Sequence, residues 1–316
     1  MATVYYKENK TTVKTSDLTI LAQDPPGKLL WIDLNHASPE DKAYVEEKLQ
    51  VSLQTQQQAE EIELSSRYIE LGNTIVVNAN FLVSRDGYYA NEAVSFVLLD
   101  GLLVSYRNAD LKAFADTVRK FKVNTGAFSA GIHFLIAILE TKIDQDADLL
   151  ESLSRYISEI GKSLSVEKQL EEDLLLRITG FQETTMILRE NVIDNQRVIS
   201  AMLRSERFSK EANGKLRILI KDINSLIQHA EFNFERLEYL QNTFLGLVNL
   251  EQNKIIKIFT VVTVIFMPPT LIASLYGMNF DLMPELQWQL GYPFAVLLML
   301  LSSGLTLLFF RKKRWL

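Results

Sequence analysis

The chain has 316 residues, enough for one sizeable soluble domain plus a membrane module, and no cysteine, which excludes disulfide scaffolds, zinc–thiolate sites and thiol nucleophiles. Of 33 basic and 39 acidic residues, six basic (Lys254, Lys257 and Arg311 to Arg314) and two acidic (Asp281 and Glu285) lie beyond residue 253, leaving 27 basic against 37 acidic before it. That net of −10 over residues 1–253 argues against nucleic acid as a partner, because binding a phosphate backbone requires a basic face.

Met1 to Lys14 is polar and lacks an apolar run, so no cleavable signal peptide is expected and membrane insertion falls to later segments. Leu29 to Leu34 reads as a strand. Ser38-Pro39-Glu40-Asp41 reads as a helix start, with a capping serine, proline at the first helical position and acids in the first turn. Thr74 to Val83 and Ala93 to Leu99 are rich in β-formers, and the second runs through Asp100-Gly101 into Leu102 to Tyr106, a hairpin signal. Residues 1–128 are therefore expected to form an α/β domain around a mixed or antiparallel-rich sheet.

From Ser129 strand signals vanish. Residues 129–213 are expected to form two long antiparallel helices, over 130–160 and 164–207, broken at Gly161 to Ser163. Their acids, among them Glu140, Asp144, Asp146, Asp148, Glu171, Glu172 and Asp173, read first as solvated helix faces. A third helix is expected from about Gly214, where Leu216, Leu219, Ile223, Leu226, Ala230, Phe234 and Leu237 alternate three and four apart, close to the seam of packed helices. Unbroken to Tyr276, it would extend roughly 95 Å at 1.5 Å per residue, a stalk rather than part of a compact domain.

Ile258 to Phe280 and Gln287 to Phe310 carry no charge, and each exceeds the roughly 20 helical residues that cross a hydrocarbon core of about 30 Å. The stalk region 214–280 thus includes a span at about 257–277, followed by an external loop at 281–291, a second span at 292–310 and a basic tail at 311–316. Lysines precede the first span and the Arg311 to Arg314 cluster follows the second, while the loop has only acids, so both termini are expected in the cytosol. Along the first span Asn253, Ile256, Thr260, Thr263, Met267, Thr270, Ser274 and Gly277 share one helical face, five of them hydroxyl or amide residues. Such a stripe faces water or a protein interior, and packing between helices also favours Ser, Thr and Gly, so the stripe alone leaves both open.

At the end of this span stands Tyr276-Gly277-Met278-Asn279-Phe280, preceded by Pro268-Pro269-Thr270-Leu271 and followed by Met283-Pro284-Glu285-Leu286 and Gly291-Tyr292-Pro293. In these residues, and most densely from Glu251 to Leu316, the chain resembles the CorA family of divalent-cation channels, whose signature is Gly-Met-Asn at the end of the first transmembrane helix. The resemblance implies an α+β cytosolic domain with a long stalk helix plus two C-terminal transmembrane helices, assembled as a funnel-shaped homopentamer in the cytoplasmic (inner) membrane. It also implies transport of Mg²⁺, with Co²⁺ and Ni²⁺ passing too, under control of intracellular Mg²⁺ at acidic sites that no motif locates here. No organic cofactor is implied.

Carried over by position, Gly277, Met278 and Asn279 form the selectivity mouth, and Asn253, Ile256, Thr263, Met267 and Thr270 line the conduit with Phe259 at a constriction. Family members often have Met or Leu at the two constriction positions, where this chain has Ile256 and Phe259. The loop acids Asp281 and Glu285 raise the local cation concentration. Mg²⁺ prefers oxygen and sheds water reluctantly, so a ring of neutral amide oxygens suits a hydrated ion that must also leave. Two rival readings are weaker. A membrane-tethered enzyme lacks a phosphate loop or catalytic triad, and His36, His133 and His229 are scattered without ligand spacing. A coiled scaffold explains the helices but not the stripe. Within transport, a related zinc branch is the alternative, whose members usually depart from Met at the position of Met278.

Overall fold

A computed structural model describes residues 1–8, 11–23, 29–54, 67–85, 87–166, 172–279 and 283–313. Seven strands, β1 (Ala2–Glu8), β2 (Thr11–Thr15), β3 (Leu29–Asn35), β4 (Tyr68–Leu71), β5 (Thr74–Arg85), β6 (Tyr88–Leu99) and β7 (Leu102–Arg107), form one sheet in the order β2-β1-β3-β7-β6-β5-β4. Every neighbouring pair is antiparallel except β3 with β7. The sheet is therefore mixed and antiparallel-rich.

Local chemistry explains the pieces that were readable. α1 is a single turn (Ile20–Gln23), and α2 (Pro39–Leu49) starts where Ser38 Oγ accepts the Asp41 N–H at 3.1 Å, with Pro39 at the first helical position. The β6–β7 turn places Asp100 and Gly101 at φ 47° and 84°, the positive values a two-residue hairpin of this hand demands. β3 is buried on both sides, and its one irregularity, a register shift opposite Tyr5 and Tyr6, sends Leu30 and Trp31 to the same face. There Trp31 stacks on Tyr5 at 5.0 Å and packs against Phe134 and Phe114. The opposite face joins Val4, Ile32, Leu34, Val97 and Val104 to Val45 of α2.

Four longer helices follow β7: α3 (Lys112–Val123), α4 (Gly131–Val166), α5 (Glu172–Arg204) and α6 (Lys210–Tyr276), with α7 (Gly291–Lys312) closing the chain. Contacts fix their directions. Lys142 of α4 meets Asn191 of α5 and Tyr156 meets Phe181, so α4 and α5 run antiparallel. Ser154 and Arg236, through Asn233 and Ser158, align α4 parallel to α6. α4 begins against the β6–β7 turn so closely that a Cβ on Gly131 would collide with the Leu103 nitrogen.

Three expectations change. α4 runs through Gly161 to Ser163 without a break; a Cβ on Gly161 would touch Leu240 Cδ2 at 3.6 Å, so this glycine marks close approach to α6 rather than a helix end. α6 starts four residues before Gly214, where Ser209 Oγ accepts the Ala212 N–H. Asp146 is not a solvated acid: it is buried and bonds Lys142 Nζ at 2.7 Å, while Asn191 Oδ1 accepts a second bond from that ammonium at 2.6 Å. Burial pushes the Asp146 carboxyl up, and the lysine opposes this. Glu140 and Asp144 do lie at the surface, each in reach of Lys120.

The chain divides into two compact units, Met1–Gln241 and Asn242–Leu316.

Candidate functional site

α6 and α7 are each long and apolar enough to cross a membrane. Within the second unit, burial on α6 follows one side of the helix: Val261 is buried, and Ile265, Pro268, Ile272 and Tyr276 are half-buried. α7 packs on that side, since Ser303 Oγ donates to the Ile265 carbonyl at 3.4 Å. The bond has a specific cause. Pro269 has no N–H, so the carbonyl four residues earlier loses its helical partner, and in a membrane no water replaces it. Ser303 supplies the missing donor.

The stripe lies elsewhere. Asn253, Ile256, Thr260, Thr263, Met267, Thr270, Ser274 and Gly277 are all exposed, as is Phe259. At 100° per residue their mean direction stands about 150° from the side that meets α7. Packing against the chain's own second span therefore does not account for these residues, and one of the two readings left open by the sequence narrows to contact with water or with another copy.

The stripe's three threonine hydroxyls are already donors to their own helix. Thr260, Thr263 and Thr270 bond the carbonyls of Ile256, Phe259 and Phe266 at 2.8, 2.9 and 2.8 Å. With the proton so committed, each oxygen presents only lone pairs outward, an acceptor surface for water and for the water of a hydrated cation. No charged side chain occurs from Ile258 to Asn279.

α6 ends at the motif. Gly277 N–H still bonds Ala273 at 2.9 Å, but Met278 N–H tightens to Leu275 at 3.4 Å, after which Asn279 stands exposed outside the helix. A Cβ on Gly277 would sit 3.2 Å from the Ala273 carbonyl, so a side chain there presses on the last turn. Met278 is exposed as well. Asp281 and Phe280 lie outside the described residues. Glu285 is exposed in a short 3₁₀ turn (Pro284–Gln287), and Gly291 closes against it so tightly that a Cβ would meet the Glu285 carbonyl oxygen. Trp288, which packs on Phe294, and exposed Tyr292 flank the start of α7, the residue types that settle at a membrane boundary. Of the sequence-selected residues, those from Asn253 to Asn279 thus lie on one exposed face of α6 and at its end, and Glu285 lies in the turn beyond. What sequence reading missed is the pairing of Pro269 with Ser303, 34 residues away, for which a proline in an apolar helix is the only signal.

The sequence model of the family described as "CorA-like Mg2+ transporter protein" matches residues 26–312. The chain is 36% identical to "Magnesium transport protein CorA" of Wolinella succinogenes and 34% identical to that of Campylobacter jejuni, covering 100% of each chain in both cases. Its fold is similar to the complete structure of the CorA magnesium transporter from Methanocaldococcus jannaschii, with a TM-score of 0.84 at 21% identity over 100% of this chain and 99% of that one. A membrane protein with a mixed-sheet domain, a long helix and two C-terminal apolar helices is thereby defined. The chain belongs to the family of CorA-like Mg²⁺ transporters, a family of transporters and not of enzymes.

Proposed function

We propose that this chain carries Mg²⁺ across the cytoplasmic membrane as a homopentameric channel, with Gly277, Met278 and Asn279 at its outer mouth and both termini in the cytosol. The observation that carries the reading is the position of the polar stripe: it faces away from α7, runs the length of the apolar part of α6, and ends at Asn279. One chain cannot enclose a path, so several copies must turn their stripes toward a common axis, five of them by likeness to the family.

The ion passes with its water. Uncharged Thr and Asn oxygens are too weak to strip a hard dication but accept hydrogen bonds from its first shell. Co²⁺ and Ni²⁺, similar in size and also octahedral when hydrated, pass by the same mouth. Ile256 and Phe259 form the hydrophobic constriction nearer the cytosol, while Asn253, Thr263, Met267 and Thr270 line the path. Asp281 and Glu285 draw cations to the entrance.

Intracellular Mg²⁺ closes the path by binding the closed assembly better, which shifts the population toward it. Among the described residues of a single chain, no three His, Asp or Glu side chains gather as a metal site. By likeness to the family, the regulatory ion sits where acids of two copies meet.

The test is ion flux into liposomes containing the purified protein. Uptake of Mg²⁺, with Co²⁺ competing and Zn²⁺ slower, supports the reading. Zn²⁺ uptake without Mg²⁺ uptake moves the chain to the related zinc branch. Mass measurement in mild detergent should give five copies; a stable monomer that still conducts overturns the shared path.

A further inference from the structure

The first unit contains a groove that ion transport does not explain. It has a volume of about 770 Å³ and lies between α3 and strands β1 and β2. One wall is α3 with its N-cap residue Leu111: Leu111, Ala115, Val118 and Lys122 fall three and four residues apart along a single side, with Arg119 beside them. Its floor is the sheet, where Tyr5 and Lys14 are register partners and so share a face.

Charge distinguishes this groove from its surroundings. Its lining includes five basic side chains, Lys14, Arg107, Lys112, Arg119 and Lys122, against two acids, Asp33 and Asp110. Arg107 is committed to Asp33 through two bonds at 2.8 and 3.1 Å, and Arg119 contacts Asp116. Asp110 accepts from Asn35 at 2.6 Å. The other three, Lys14, Lys112 and Lys122, are exposed and have neither an ion pair nor a hydrogen bond among the described residues. Three ammonium groups with no partner among the described residues rim one concavity in a region whose net charge is −10, and they create a local positive field. A divalent cation is excluded from such a place, and the acidity of the rest of the domain turns away a long polyanion. A compact anion is not.

Lysine ammonium groups suit phosphate as mobile point charges. The wall between them is apolar, made by Leu111, Ala115 and Val118, and the volume falls in the range of small-molecule sites, about 300–1,000 Å³. We infer that the groove between α3 and β1–β2 binds a small phosphate-bearing anion with an apolar ring, of the nucleoside di- or triphosphate class. The lysines meet the phosphates and the aliphatic wall meets the ring.

The experiment uses the full-length protein in mild detergent with EDTA, so that the transported ion and its complex with the nucleotide play no part. A fluorescent ATP analogue is titrated by anisotropy, then displaced with ATP, inorganic triphosphate or adenosine. Two variants are compared, both at exposed positions: Lys14→Gln/Lys112→Gln/Lys122→Gln, and Ala115→Glu, which puts bulk and negative charge on the wall. Thermal melting and elution volume check that each variant is folded. Expected are saturable binding, displacement by ATP at concentrations about tenfold or more below those needed for either half-molecule, and a loss of about tenfold or more in affinity in each variant. No saturable binding overturns the inference, including the case in which a second copy fills the groove in the assembly. So does displacement by adenosine or by triphosphate as effective as ATP, or a folded variant that binds like wild type.

Discussion

In the unit Met1–Gln241, Trp31, Phe96, Phe114 and Phe134 are at most 2% exposed, and the buried charges of Asp33, Arg107, Lys142 and Asp146 all have partners within the same unit. In the unit Asn242–Leu316, by contrast, Phe259, Phe266, Leu271 and Leu300 are each 63–68% exposed, and the polar side chains line the surface opposite α7. Apolar residues that water would expel are left outside, and the groups that prefer water are gathered on one stripe. The first unit closes its own core. The second does not close its own surface: an apolar part suits lipid as its solvent, and in the assembly proposed above other copies and water cover the rest.

The largest effect should come from the residue where that incompleteness is functional. Asn279→Ala removes the outward amide while touching no buried contact, so ion flux in liposomes should fall to background with oligomer mass and melting unchanged. Asn279→Asp keeps an oxygen but adds a ring of charge, so ions should be held more tightly and discriminated less. Wild-type flux through Asn279→Ala would break the contrast, because recognition would then lie deeper along the stripe.

The next effect belongs to the closed unit. Asp33 accepts from Arg107 and from Ser105 Oγ at 2.8 Å, and Ser105 in turn accepts from Trp31 Nε1 at 2.9 Å. Asp33→Ala leaves the Arg107 guanidinium buried over the Phe114 ring at 4.4 Å, with only the exposed Asp110 carboxylate still in reach at 3.8 Å. Removing one partner of a buried pair costs about 3–5 kcal/mol and Asp110 offsets part of it, so chemical denaturation should show a stability loss toward the lower end of that range. Asp33→Asn, able to accept one bond, should lose less. The ion selectivity of whatever protein remains folded should be unaltered.

The contrast also explains what the sequence reveals and what it hides. The second unit is legible because its rules are local: an uncharged run of sufficient length, a stripe at helical spacing, and Gly-Met-Asn at the end. In the first unit, Ser38-Pro39 and Asp100-Gly101 are equally local and are found where expected. β1, β2 and β4 are not separately legible, since seven, five and four residues mixing polar and apolar side chains carry no decisive period. Their strand state comes from partners such as Trp31, opposite Tyr5. Asp33 and Arg107 are 74 residues apart and Lys142 and Asn191 are 49 apart, so nothing along the chain announces either network. Gly161 misleads for the same reason: a glycine that ends a helix and one that admits a neighbour look alike until Leu240 is placed against it.

A smaller effect tests the joint of the two spans. Ser303→Ala removes the donor to the Ile265 carbonyl that Pro269 leaves unpaired. A hydrogen bond of this kind is worth about 1 kcal/mol net, so the melting temperature in detergent should drop by a few degrees and flux should persist. Pairing the change with Pro269→Ala, which restores the helical donor, should recover much of the loss. If the two changes simply add, the serine is not serving the proline's carbonyl.

The smallest effect is a pH dependence in the first unit. His133 Nδ1 accepts the Ala130 N–H at 3.2 Å at the start of α4 and lies 3.3 Å from Ser129 Oγ. That bond requires an unprotonated Nδ1, which places the ring's proton on Nε2. Partial burial, helped by the nearby charge of Lys215, holds the imidazole below its ordinary value of 6.5. The sign follows from proton binding: just below pH 6.5 the unfolded chain takes up a proton that the folded ring still refuses, so acidification favours unfolding until the folded ring titrates as well. Stability due to His133 is thus full above pH 6.5 and lost as pH falls through the lowered value. Melting temperatures measured from pH 7.5 down to 5.5 should decline more for wild type than for His133→Asn, whose side-chain oxygen accepts the same N–H but does not titrate. Parallel decline in the two proteins would mean that the start of α4 is held by the Gly131 contact with the β6–β7 turn alone, and that the imidazole there is a bystander.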